Sequence, residues 1–343
     1  MPSPKKIVLI PGDGIGPEIS AAVRKIMDAA SAPIVFEEHL AGVAALDGGH
    51  DSVLPEETIE AIRHHGVALK GPCTTPIGKG FRSVNVGLRQ SLELWAAIRP
   101  VKSLPGVESR YEDVDLIIVR ENTEGLYSGV ENQVTDDVII SMKVATKQAC
   151  RRIAHGTFRF ANRMGRKKVS VFHKANIMKM TDGLFLAECR KVHQRDDPNI
   201  QYEEVIVDAG SMRLVQDPTQ FDIVLCENLY GDIMSDLAAG LVGGLGVTPG
   251  ANHGDTHAVF EAVHGSAPDI AGKNVANPLA LLMSGILMLE YLADYQEFEP
   301  ARPVARKIEN AYLRALTDGR KTRDIGGELN TSEFADAVIE RLN

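Results

Sequence analysis

The sequence predicts an α/β protein with a parallel or mixed sheet covered by helices. Short β-branched runs alternate with segments of helical apolar spacing, the pattern that puts helices against a sheet. The 343-residue length exceeds what one simple hydrophobic core organises, so two domains or one large α/β unit is expected. An apolar fraction of 44% and a charged fraction of 24% are globular values and exclude a disordered or fibrous chain.

Residues 6–10 (KIVLI) form a β-branched run that ends in the turn signal PGDG. Residues 17–30 then place Ile19, Val23, Ile26 and Met27 at helical spacing, so a strand followed by a helix opens the chain. A second strand is expected at 35–38, a helix at 55–64 with Pro55 in its first turn, and a third strand at 67–69 leading into the loop GPCTTPIGKG. Further short strands read at 115–119 (DLIIV), 168–172 (KVSVF), 204–207 and 222–225 (DIVL), several followed by helical segments. Residues 130–144 (VENQVTDDVIISMKV) break this rhythm with partial alternation and no helix, as in a hairpin arm that could serve as a dimer contact. Dense glycine from 240 on (GLVGGLGVTPG) points to a bend between domains or a closely packed helix.

The formal charge of −9 argues against nucleic acid as a partner, which would require a basic face. Cys73, Cys150, Cys189 and Cys226 lie far apart, fitting neither a zinc ribbon nor a disulfide framework, so reduced and mostly buried thiols are expected. The longest apolar stretch, 278–289 (PLALLMSGILML), is well under the roughly 18 residues of a membrane span and reads as a buried helix. The apolar run after the first two lysines is too short for a signal-peptide core and lacks a cleavage site. A cytoplasmic protein that uses no membrane is the expectation.

Four groups of residues could carry chemistry. Arg89 and Arg99 flank a helix-like stretch and Arg120 ends a strand; guanidinium groups bind carboxylates through paired hydrogen bonds and would suit a di- or tricarboxylate. Read singly, each arginine also fits a surface salt bridge. In NLYGDIMSDLAAG, Asp232 and Asp236 lie four residues apart on one helix face and repel unless a cation sits between them, a donor set suited to Mg²⁺ or Mn²⁺. A dipole-favoured carboxylate beside a solvated one is the competing account. Asp208, just past a strand, could add a third ligand. Lys174, directly after a strand, and Tyr127 form a candidate acid–base pair, although a lysine in such a place is more often at the surface. Finally, GDGIG at 12–16 fits the dinucleotide fingerprint G-x-G-x-x-G poorly, whereas HGSAPDIAGKNVANP (264–278) offers amides at Gly265 and Ser266, an imidazole at His264, a carboxylate at Asp269 and the Asn277 amide. As a pattern alone this is a polar loop.

Together these segments resemble the β-decarboxylating dehydrogenases, the family of isocitrate, 3-isopropylmalate, homoisocitrate and tartrate dehydrogenases. The resemblance runs from IPGDGIGPE to SEFADAVIERL, and NLYGDIMSDLAAGLVGGLGVTPGAN is highly specific to the family. It implies the family's two-domain α/β fold, with a mixed sheet in each domain and a β clasp arm. A large domain would comprise 1–98 and 245–343, with the cofactor loop and both termini. A small domain would comprise 99–244, with an arm at about 128–146 and the dimer interface. The substrate stretch RSVNVGLRQSLELWAAIRP is similar to that of isocitrate dehydrogenases, with Ser83 and Asn85 before Arg89. An apolar γ-substituent would leave those two unpaired, at about 1–3 kcal/mol each.

The resemblance further implies that Arg89, Arg99 and Arg120 clamp carboxylates, and that Asp232 and Asp236 ligate Mg²⁺ or Mn²⁺ together with Asp208 of a second subunit. Lys174, also from the partner of a homodimer with shared active sites, would help remove the hydroxyl proton, and Tyr127 would protonate the enolate. Thr75, Asn176, Glu261, His264, Gly265, Ser266, Ala267, Asp269, Ile270, Asn277 and Asp324 would hold the cofactor. NADP-using relatives carry Lys–Tyr in place of Asp269 and Ile270, and 321–327 (KTRDIGG) lacks their tyrosine and second arginine, so NAD is expected. The implied reaction is NAD-dependent oxidative decarboxylation of isocitrate. Homoisocitrate, 3-isopropylmalate or tartrate is the alternative substrate, and a non-catalytic regulatory role in a hetero-oligomer is the alternative class. Loss of Tyr127, Lys174 or a metal aspartate would mark such a role, and none is lost.

Overall fold

The structure is a computed structural model and describes residues 3–76 and 82–343. The end of the loop GPCTTPIGKG, residues 77–80, lies outside them. Along the chain the strands are β1 (Lys5–Ile10), β2 (Ile34–Glu38), β3 (Val67–Lys70), β4 (Ala96–Lys102), β5 (Asp115–Glu121) and β6 (Gly125–Thr135). They continue with β7 (Val138–Val144), β8 (Lys168–His173), β9 (Gln201–Ile206), β10 (Ile223–Cys226), β11 (Pro249–His253) and β12 (Ala258–Ala262). The chain folds into two compact units, each drawn from separate stretches of sequence.

The first unit comprises Met1–Glu93, Ser103–Glu112 and Val242–Asn343. Its strands run in the order β2-β1-β3-β12-β11, parallel except for the antiparallel pair β11/β12. The apolar stretch read as a buried helix is Leu279–Tyr295, which lies on β3, β12 and β11. Its Gly285 faces the Met27 side chain of the helix Gly16–Ala29, at a spacing that leaves no room for a Cβ. The GDGIG turn has a structural use. The Asp13 carboxylate accepts hydrogen bonds from the Val43, Ala44 and Thr74 amides at 3.0, 2.7 and 2.5 Å, capping the short helix Val43–Asp47. Gly14 sits at φ +59°, where a Cβ would fall 2.0 Å from the Ser266 carbonyl oxygen.

The second unit comprises Leu94–Lys102 and Asp113–Leu241. Its sheet order is β4-β5-β10-β8-β9, parallel except for the antiparallel pair β4/β5. The helix Asn228–Leu241 packs on β5 and β10, and Lys147–Arg163 pairs with Thr181–Asp196. Phe158 and Phe172 are fully buried in this core. β6 and β7 form a separate antiparallel hairpin, the predicted arm, whose Val134 and Ile139 are 58% and 70% exposed.

Two sequence expectations shift. Val207 opens the helix Val207–Gln216 rather than closing a strand, and the strand before it starts earlier, at Gln201. The stretch between Arg89 and Arg99 is not helical throughout. Arg89 lies near the end of the helix Val84–Ser91, while Arg99 lies within β4.

Candidate active site

Arg120 occupies the second unit's sheet at the C-terminal end of β5 and is 4% exposed. A guanidinium so enclosed must have its charge and donors answered. Its Nε donates to Asn228 Oδ1 at 2.9 Å and its Nη1 donates to Asp232 Oδ1. The guanidinium also lies 4.9 Å from the centre of the Tyr127 ring, and the Tyr127 hydroxyl donates to Asp232 Oδ2 at 2.6 Å. Asp232 therefore joins Arg120 and Tyr127 into one cluster. Partial burial and the Asp232 carboxylate push the Tyr127 phenol up from its ordinary range, while Arg120 opposes them, so the hydroxyl keeps its proton near neutrality.

Two members of this arrangement were not singled out by the sequence. Asn228, at the start of the helix carrying Asp232, also donates to the Glu124 carbonyl at 2.8 Å and so orients both neighbours. Gly231 lets the Arg120 stem lie against that helix, since a Cβ there would come within 2.6 Å of Arg120 Cβ and Cγ. Both stand in the quoted NLYGD string, but neither type carries charge that would draw notice. Gly231→Ala is expected to cost about 1–3 kcal/mol of stability through overpacking and to displace Arg120. Thermal denaturation and the KM for the substrate check this, and an unchanged KM would contradict the displacement.

Asp236 stands one helical turn beyond Asp232. Partial burial and then the Asp232 charge raise its carboxyl above the usual range, despite Arg99 and Arg120 nearby. A pair of hard oxygen donors held in mutual repulsion fits a divalent cation. Lys174 and Asp208 form a separate pair: Lys174 Nζ donates to Asp208 Oδ1, and this hydrogen bond holds the Asp208 carboxyl below its ordinary range. The Lys174 amide donates to Asp182 Oδ2 at 2.7 Å, which anchors the backbone at the strand end. Asn176 is exposed on the same loop. Among the described residues no group of three or more His, Cys, Asp or Glu could hold a metal ion, so Asp208 is not gathered with Asp232 and Asp236 in one chain.

In the first unit, Ser83 caps the helix Val84–Ser91 with extended backbone, and Asn85 and Arg89 follow one turn apart on one face. Thr75 Oγ1 accepts from the Val84 amide at 3.3 Å. The Asn85 side-chain oxygen is buried with no hydrogen-bond partner among the described residues. Ser266 Oγ and Thr74 Oγ1 are 2.6 Å apart, and Asn277 Nδ2 donates to Asp324 Oδ2 at 3.0 Å. Thr322 Oγ1 holds the other Asp324 oxygen at 2.6 Å. The loop between leaves Gly265, Ala267, Asp269 and Ile270 exposed, with Ala267 at φ +40°. Burial lowers the His264 imidazole below its ordinary range; Nδ1 contacts the Gly265 carbonyl, and Nε2 is buried without a partner among the described residues. An orphaned imidazole nitrogen beside exposed polar groups fits a bound cofactor. Glu261 stands just ahead of this loop, near the end of β12. It is 3% exposed, its Oε2 lies 2.9 Å from Lys70 Nζ, and its Oε1 accepts from Asn252 Nδ2 at 2.7 Å.

The sequence profile described as "Isocitrate/isopropylmalate dehydrogenase" matches residues 6–338. The chain is 51% identical to isocitrate dehydrogenase [NAD] catalytic subunit 5, mitochondrial, of Arabidopsis thaliana, over 99% of this chain and 89% of that protein. It is 50% identical to a mitochondrial regulatory subunit of NAD isocitrate dehydrogenase from Dictyostelium discoideum, over 98% of this chain and 92% of that protein. The crystal structure of isocitrate dehydrogenase from Methylococcus capsulatus superposes with a TM-score of 0.92 at 46% identity, covering 98% of this chain and 99% of that one. The cytoplasmic expectation is corrected by these comparisons, because curated relatives from plant, slime mould, fly and cattle are mitochondrial proteins by name. Reduced, buried thiols do not distinguish one reducing compartment from another. The family match over nearly the whole sequence, with identities near one half, places the chain in the isocitrate/isopropylmalate dehydrogenase family.

Proposed function

We propose that the chain is a catalytic NAD-dependent isocitrate dehydrogenase, converting isocitrate to 2-oxoglutarate and CO₂. The observation that carries the substrate choice is the polar start of the helix Val84–Ser91, where Ser83 precedes it and Asn85 shares a helix face with Arg89. The Ser83 hydroxyl and the Asn85 Nδ2 can each donate to a γ-carboxylate, whereas the isopropyl group of isopropylmalate leaves both donors unanswered at about 1–3 kcal/mol. The two units are proposed as the family's large and small domains, which differ somewhat in extent from the boundaries read from sequence.

Arg89, Arg99 and Arg120 would bind substrate carboxylates through paired hydrogen bonds. NAD, when bound, would supply the acceptor for the hydride that leaves C2 of isocitrate, and Lys174 Nζ in its neutral form would take the hydroxyl proton. The carbon–carbon bond to the β-carboxylate then breaks, releasing CO₂ and leaving an enolate. Tyr127 donates its phenolic proton to the enolate carbon, and its raised proton affinity keeps that proton in place until needed. Asp232 and Asp236 would hold Mg²⁺ or Mn²⁺, which when bound supplies Lewis-acid polarisation of the reacting oxygen. Asp232 also orients Tyr127 and Arg120 directly.

Lys174 and Asp208 sit apart from that cluster in one chain, which supports their being supplied by a partner chain. The exposed apolar face of the hairpin arm suits the contact. A homodimer is the reading taken here; relatives named as catalytic and regulatory subunits make a homologous partner the second reading. Activity of the purified chain alone separates them. Retention of Tyr127, Lys174, Asp232 and Asp236 supports catalysis by this chain.

His264, Gly265, Ser266, Asn277 and Asp324 would hold NAD, with Asp269 accepting hydrogen bonds from the ribose diol and repelling a 2′-phosphate. Replacing Asp269→Lys and Ile270→Tyr together is expected to shift the ratio of kcat/KM values toward NADP by roughly tenfold or more. An unchanged ratio would sink the cofactor assignment.

A further inference from the structure

In a chain of formal charge −9, residues 147–168 carry eight lysines and arginines and no acidic residue. Most of this run is the helix Lys147–Arg163, where Lys147 and Arg151 stand about one turn apart, as do Arg159 and Arg163. Like charges at that spacing repel unless an anion answers them. The start of this helix, with Arg195 near the end of the helix Thr181–Asp196, lines an open cleft of about 590 Å³. Its lining is Lys147, Gln148, Arg151, Arg152, His155 and Arg195: four cations, an amide, an imidazole and no carboxylate. The volume is that of a small-ligand site.

Two carboxylates outside that lining set its arginines without filling it. Arg151 Nε donates to Glu188 Oε2 at 3.0 Å, and Lys191 donates to Glu188 Oε1 at 2.8 Å. Arg195 holds Asp196 through Nε and Nη2 at 2.5 and 2.7 Å, and His155 Nδ1 stands 3.2 Å from the same carboxylate. Both arginines stay more than half exposed, at 55% and 66%, and turn only Nε and Nη2 to their carboxylates. Arg152 Nη2 donates to the neutral Thr123 hydroxyl at 3.0 Å, and its Nε is buried with no hydrogen-bond partner among the described residues. Glu124 feels the Arg152 charge, but that carboxylate is taken by the Thr146 amide and hydroxyl at 2.8 and 2.9 Å. Lys147 is exposed and forms no ion pair among the described residues.

We propose that this cleft binds a short chain of linked phosphates, recognised by its charge and not by a base. Guanidinium groups present parallel donors that match phosphate oxygens, and three of them line the cleft. From Lys147 to His155 the helix rises about 12 Å at 1.5 Å per residue. A single oxyanion meets only part of that row, whereas linked phosphates carry charge along it. Lys147 and Gln148 also stand in the first turn, where the helix dipole favours an anion. No aromatic residue belongs to the lining, so nothing there stacks on a base. The negative charge of the chain as a whole works against a long polyanion. The cleft shares no residue with the candidate active site.

The test is isothermal titration calorimetry of the full chain in metal-free buffer, with tripolyphosphate as the probe. It is expected to bind once per chain, with orthophosphate roughly tenfold weaker or more. Lys147→Gln combined with Arg195→Gln removes two exposed cations and should weaken tripolyphosphate by roughly tenfold or more. The thermal transition, kcat and isocitrate KM of that double variant should stay close to the parent's. Lys147→Arg keeps the charge and should bind within about threefold of the parent. ATP within about threefold of tripolyphosphate supports a chain borne by a nucleoside that hangs outside the cleft, and ATP roughly tenfold weaker supports the free chain. The proposal is overturned if tripolyphosphate does not bind, or if the double variant binds it unchanged. It is equally overturned if Arg89→Met, in the candidate substrate site, loses the probe instead. ATP roughly tenfold tighter than tripolyphosphate, or the tricarboxylate tricarballylate binding as tightly, also overturns it. Should the double variant fail to fold, Lys147→Gln alone decides, since unchanged affinity there contradicts the proposal.

Discussion

Asp232→Asn lowers kcat/KM for isocitrate by about a thousandfold or more, the largest effect expected of any single substitution in this chain. Its carboxylate takes the Arg120 guanidinium on one oxygen and the Tyr127 hydroxyl on the other, and it lies one turn from Asp236. Asparagine keeps the shape but removes the charge. It thereby weakens a hard-cation site, loosens Arg120 and leaves Tyr127 with a poorer acceptor. The signature separating this from misfolding is a large rise in the Mn²⁺ concentration needed for half-maximal rate, with the thermal transition kept within a few degrees. Full activity at ordinary metal concentration would remove Asp232 from the catalytic centre.

Lys174→Met lowers kcat by about 10²- to 10⁴-fold, the range for losing a positioned proton acceptor, with a much smaller change in KM. In one chain its Nζ donates to Asp208, which among the described residues is not gathered with Asp232 and Asp236 into a metal-holding group. If a second copy completes each site, Lys174→Met and Asp232→Asn are defective in different halves of a shared centre. Mixing the two variants under subunit exchange then creates dimers with one intact site, and random pairing recovers roughly a quarter of parental activity. No recovery, despite exchange demonstrated by mass, would place Lys174 in the same chain's site or assign the second half to a different protein.

The fold was legible in the sequence where chemistry is local. KIVLI, DLIIV and KVSVF are β-branched runs and became the buried strands β1, β5 and β8. The strands that escaped notice lack that signature. β4 carries Arg99 and Pro100 among its residues and β11 reads PGANH, while β9, read only at 204–207, opens with QYE along the end of its sheet. Each is held by its neighbours rather than by its own propensity. The candidate site followed the same division. The Asp232/Asp236 spacing shows on the helix by itself, and the arm at 130–144 showed as alternation without a helix. Arg120 meeting Asp232 across 112 residues, and Lys70 meeting Glu261 across two neighbouring strands, depend on strand order. Glu261 illustrates this: the sequence shows a glutamate just ahead of the loop 264–278, and only the register shows the buried lysine beside it.

This chain, by itself, is expected to oxidise and decarboxylate isocitrate with NAD. The most direct measurement is NADH formation by the purified chain with Mg²⁺ or Mn²⁺, run in parallel on isocitrate, 3-isopropylmalate, homoisocitrate and tartrate. Robust turnover on isocitrate, stoichiometric CO₂ release and dependence on the added cation are expected. Turnover on isopropylmalate with none on isocitrate would contradict the substrate, and no turnover on any of the four without a second, different chain would contradict catalysis by this one.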